Sequence, residues 1–124
     1  MNINLYKLLV FEARRDYTGS SNQEKAIFNL CRFFYSLNKE LNNELFAEKH
    51  YKKGELDEIA ILRNEYIKFL NLLSIMSEES RLIIEYDYYY AKDNKWFYDF
   101  FSKSTYYKRK QTAIKEFVEL LKLL

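Results

Sequence analysis

Proline is absent from all 124 residues, and glycine occurs only at Gly19 and Gly54. Proline breaks a helix interior and glycine weakens one. A chain nearly free of both can build long helices and has few residues suited to tight turns, so an all-α fold is expected. Hydrophobic residues make up 48% of the chain and aromatic residues 19%, which is enough to bury a core and argues against disorder. A chain of this length forms one domain, or a small domain with an oligomerisation arm.

Apolar spacing divides the first 76 residues into three helices. Residues 3–17 place Ile3, Tyr6, Leu9 and Val10 on one side, and Arg14-Arg15-Asp16 closes the segment. Cations at a helix C-terminus are ordinary dipole partners, a reading preferred here over phosphate contact. Ser21-Asn22-Gln23-Glu24 has the form of a capping box. The helix it opens is expected to run to about Lys52, with Ile27, Leu30, Phe34, Leu37, Leu41 and Leu45 in one stripe. His50, Lys52 and Lys53 fall in its last turn, and Gly54 suits a left-handed C′ position. His50 is the only histidine and has no cysteine near it, so no metal site is expected. A third helix, Glu55 to about Met76, repeats Ile59, Leu62, Tyr66, Phe69, Leu73 and Met76 at steps of three and four. The second and third helices predict an antiparallel helical hairpin. Residues 3–17 are too short to cover both seams, which predicts a homodimer through the N-terminal helices.

Net charge is only +2, so the signal lies in its distribution. Residues 77–99 hold six carboxylates and three cations, whereas residues 103–115 hold five cations and no carboxylate. A local basic stripe is the electrostatic footprint of a nucleic-acid binder. Ser77, Glu78 and Glu79 suit a helix start, and Leu82, Ile83, Tyr86 and Tyr90 would share one face of that helix. A polar break follows at Lys92-Asp93-Asn94, then the short aromatic segment from Lys95 to Phe101. Ser102 is a good N-cap for a last helix with Tyr106, Ala113, Ile114, Phe117 and Leu121 along one face. Lys103, Thr105, Tyr107, Lys108, Lys110 and Gln111 occupy the other.

Helix, break, short helix and capped basic helix is the order of a helix-turn-helix reader. The expected organisation is an N-terminal supporting region, 1–76, and a helix-turn-helix, 77–124. The candidate DNA-contacting residues are Ser102, Lys103, Ser104, Thr105, Tyr107, Lys108, Arg109, Lys110, Gln111 and Lys115. Ser102 would orient the helix on a phosphate. Lys108, Arg109, Lys110 and Lys115 would supply electrostatic affinity, and Lys103, Ser104, Thr105 and Tyr107 would lie nearest base edges. The competing reading of the basic face is a solvated surface. The run Tyr86, Tyr88, Tyr89, Tyr90, Trp96, Phe97, Tyr98, Phe100 and Phe101 is expected to be core. Its alternative, a stacking platform for single strands, requires Tyr88 and Tyr89 to be exposed.

Residues 77–121 resemble region 4 of sigma-70 factors, and more closely the phage late-gene activators of the ArpU/RinA type. The matching residues are Ser77, Glu78, Arg81, Ile83 and Ile84, then Ser102-Lys103-Ser104-Thr105-Tyr106-Tyr107-Lys108-Arg109, then Ala113-Ile114-Lys115. The string Trp96 to Tyr107 is also similar to uncharacterised sigma-like proteins of mollicutes. The chain departs from the pattern at Phe100, where the family usually has a turn glycine. It departs again at Lys95, Trp96 and Phe97, where the family has an Ile-Ala or similar pair. The resemblance implies double-stranded DNA as a partner and RNA polymerase as a second. A protein-interaction module that binds polymerase or another regulator, without reading DNA, is the reading from a different class.

The sequence has no glycine-rich phosphate loop, no Cys-His pair and no HExxH, so neither an enzyme nor a cofactor is expected. One cysteine, Cys31, fits a reducing compartment. With no leader-like N-terminus and no membrane-length apolar run, a cytoplasmic protein is expected, with no membrane partner.

Overall fold

The computed structural model describes residues 2–17, 20–43 and 53–123, with side chains outside residues 20 and 53–56. The described residues are all-α, with no strand among them. Helix α1 spans Ile3–Arg14, α2 Ser20–Asn42, α3 Lys53–Ile75, α4 Glu78–Ile84 and α5 Lys103–Leu123. A π turn, Glu85–Tyr89, continues α4, and a 3₁₀ turn, Trp96–Asp99, precedes α5.

Several boundaries differ from expectation. Helix α1 ends at Arg14. Helix α2 starts at Ser20, so Ser21 lies inside the first turn and not at the cap. It ends at Asn42, with Asn43 in a turn; Leu45, His50 and Lys52 lie outside the described residues. Gly54 stands in the first turn of α3, not at a left-handed C′. Arg14, in the last turn of α1, donates from Nε to the Leu121 carbonyl at 3.1 Å, satisfying an orphan acceptor in the last turn of α5.

One continuous core joins every helix. Ile27, Leu30, Phe34 and Leu37 of α2 and Leu62, Phe69 and Leu73 of α3 are buried as their spacing requires. They pack in the same cluster as Ile83 and Ile84 of α4 and Ala113, Ile114, Phe117 and Leu121 of α5. Phe69 is the central ring. It stacks on Phe34 at 4.4 Å and on Tyr89 at 5.8 Å, and meets Phe117 edge-on at 6.3 Å. Helix α2 contacts α1, α3 and the π turn, and α5 contacts α1, α3, α4 and the 3₁₀ turn. Large apolar side chains remain open on α1 (Leu5, Leu8, Phe11) and α3 (Ile61, Ile67, Leu70, Ile75).

The π turn alters which aromatics are buried. Its hydrogen bonds run back five residues, as in Tyr90 N–H to the Glu85 carbonyl at 2.7 Å. One extra residue per turn carries Tyr88 and Tyr89 onto the side already taken by Ile83 and Ile84, and leaves Tyr90 exposed. The expectation that Tyr90 shares the apolar face is thereby corrected. Ala91 then turns the chain with φ 52°, the one described non-glycine residue at positive φ.

Candidate nucleic-acid interface

Helix α5 starts where its sequence says it should. The Thr105 N–H donates to Ser102 Oγ at 3.3 Å, and the Ser102 hydroxyl donates to Thr105 Oγ1 at 2.8 Å. The Tyr106 N–H closes the first turn on the Ser102 carbonyl at 2.9 Å. The preceding turn needs no glycine: Phe100 has φ −120°, a value open to any residue.

Helix α4 is held by a different device. Ser77 stands at its N-cap but makes no side-chain cap bond. Its N–H donates to Glu116 Oε1 at 2.8 Å, and its hydroxyl to Glu116 Oε2 at 3.2 Å. A carboxylate of α5 therefore fixes the start of α4.

The candidate residues fall into two sets. Ser102, Lys103, Ser104, Thr105, Tyr107, Lys108, Arg109, Gln111 and Lys115 are exposed. Lys103, Lys108 and Lys115 have no carboxylate partner among the described residues, whereas Arg109 Nε lies 3.1 Å from Glu79 Oε2. Lys110 departs from the expected open face. Its side chain is only 17% exposed, and Nζ lies 3.8 Å from Asp87 Oδ2 and 3.9 Å from Glu24 Oε1. It also faces the rings of Tyr106 and Tyr88 at 5.6 and 5.7 Å. The reason is positional: Lys110 is four residues from both Tyr106 and Ile114, so it stands on the buried seam.

Asp87 is a site residue that local spacing does not mark. Its Oδ1 accepts from Trp96 Nε1 at 2.7 Å, its Oδ2 accepts from the Tyr106 hydroxyl, and Lys110 faces it. One carboxylate thus joins the π turn, the 3₁₀ turn and the first half of α5. Burial, and then the Asp87 hydrogen bond, push the Tyr106 hydroxyl pKa upward and keep it a donor. Phe97 stacks on the Tyr106 ring at 3.9 Å. A lone aspartate inside a run of tyrosines was the available signal, because a carboxylate in a buried stretch has to be paired.

Tyr88 and Tyr89 are each 5% exposed, which removes the single-strand stacking platform. Among the described residues no group of three or more His, Cys, Asp or Glu side chains is placed to hold a metal ion. No described helix is long and apolar enough to cross a membrane. Burial pushes the Cys31 thiol pKa upward, leaving it protonated and inert. No family model, curated protein or solved structure matches the chain.

Proposed function

We propose that the protein is a DNA-binding transcription regulator that uses residues 77–124 as a helix-turn-helix, with α5 as the reading helix. The observation that carries this is the exposed N-terminal half of α5. It presents Lys103, Ser104, Thr105, Tyr107, Lys108 and Gln111 to solvent, capped at Ser102 and without a carboxylate of its own. Cations there meet phosphates, and the short hydroxyls and the amide suit base edges in a major groove. The resemblance of residues 77–121 to sigma region 4 and the ArpU/RinA activators supports the same reading, and with it a contact to RNA polymerase. An assembly of two copies through the N-terminal helices belongs to this proposal, since paired half-sites suit a two-fold reader.

Lys110 is committed to the fold and Arg109 is shared with Glu79, so about three phosphates are neutralised per protomer. Affinity should then fall with salt at a log-log slope of roughly −3. The test is binding to random-sequence duplex DNA at several salt concentrations, then selection and sequencing of the bound pool. An enriched motif with that salt dependence supports the reading. Absence of binding at low salt sinks it in favour of the protein-interaction module.

A further inference from the structure

A cleft of about 420 Å³ opens between α4 and the turn before α5. Its apolar wall is Leu82, Phe100 and Phe101, and its carboxylates are Glu78, Glu79 and Glu85. Among the described residues Arg81 is the one cation lining it. Two residues here are poorly served by the rest of the molecule. Phe100 is 57% exposed, its ring lying 6.1 Å from that of Trp96. Glu85 is partly buried, yet among the described residues it accepts no hydrogen bond, and its ion pair with Arg81 is long at 3.9 Å. Burial raises the Glu85 carboxyl above its ordinary range despite Arg81. Glu79 is drawn toward Arg109 at the outer edge, which leaves Glu85 as the inner charge.

A partly desolvated carboxylate in one cleft with an exposed phenyl ring has the chemistry that receives a cationic side chain: an ion pair on one side and a cation–π contact on the other. Leu82 and Phe101 add an apolar seat beside it. The carboxylates repel phosphate, so a nucleic acid does not fit, and they do not converge as a metal site. We infer that this cleft docks a segment of a protein partner in which a lysine or arginine stands next to a large apolar residue. The inference is independent of the DNA reading, which uses the opposite charge on a different helix.

The test pans phage-displayed random peptides against the full chain, then measures the best peptide in synthetic form by the emission of Trp96, the only tryptophan. The expected peptides place Arg or Lys beside Leu or Phe. They should bind at least about tenfold more weakly to Glu85→Gln and to Phe100→Ser, and unchanged to Lys108→Ala. Glu85→Gln removes a charge that burial already disfavours, so it keeps the fold and carries the test if Phe100→Ser does not. Acidic peptides lost in Lys108→Ala, peptides indifferent to Glu85→Gln, or no enrichment would each overturn the proposal.

Discussion

Two lysines two residues apart on α5 show how about half a turn of helix separates a partly buried, paired charge from an exposed one. Lys108 is exposed and unpaired among the described residues, whereas Lys110 lies between Asp87 and Glu24. Lys108→Ala should leave the melting temperature nearly unchanged and reduce the DNA salt slope by about one. Lys110→Ala should leave the slope alone and cost about 1–2 kcal/mol of stability, because two carboxylates lose their cation. Asp87→Ala should cost more, about 3 kcal/mol, since Trp96 Nε1 and the Tyr106 hydroxyl lose their acceptor along with the ion pair. Thermal unfolding of the three variants ranks these effects, and an Asp87→Ala protein as stable as wild type would remove Asp87 from its place at the junction. The position of Lys110 was legible in part. The stripe Tyr106, Ala113, Ile114, Phe117 passes through residue 110, but its partners come from Glu24 and Asp87, which no local spacing reveals.

At the scale of elements, legibility followed the helical repeat. The seams of α2, α3 and α5 were readable because an unbroken 3.6-residue period ties sequence position to a face. The π turn breaks that tie: its extra residue moves the buried pair to Tyr88 and Tyr89, and no propensity marks the insertion. The turn before α5 takes Phe100 in place of the family's glycine without a positive φ, and the strained residue lies upstream, at Ala91. A Cβ in the left-handed region costs roughly 1 kcal/mol. Ala91→Gly should therefore stabilise the protein by up to about 1 kcal/mol, in contrast to the usual loss when glycine enters a helix. Chemical denaturation measures it: a shift of the midpoint to higher denaturant is expected, and a shift to lower denaturant would show that the Ala91 backbone carries no strain. Ser102→Ala should cost about 1 kcal/mol through loss of the α5 cap.

For the molecule as a whole, the core decides how it comes apart. Rings from α2, α3, the π turn and α5 meet around Phe69, and the Arg32 guanidinium of α2 donates to the Tyr89 carbonyl at 2.7 Å. Tyr6, Tyr88, Tyr89 and Tyr106 are spread over α1, the π turn and α5, and burial is the leading cause that raises each pKa above the ordinary 10.0. Their second causes differ: a hydrogen bond to Glu65 for Tyr6, the charge of Glu24 for Tyr88, a hydrogen bond with Tyr66 for Tyr89, and one to Asp87 for Tyr106. A raised pKa in the folded state means that the folded chain binds more protons than the unfolded one above pH 10. Each tyrosine thus contributes stability that is fully present below pH 10.0 and is lost as pH rises beyond it. Because all four belong to or pack against one core, they should ionise together as the chain unfolds, and not one at a time. An alkaline titration followed at once by phenolate absorbance and far-ultraviolet circular dichroism tests this. The late phenolate step should coincide with the loss of helix, and Asp87→Ala should bring both to lower pH. A phenolate step for these buried tyrosines that precedes any loss of helix would mean that the core opens piecemeal.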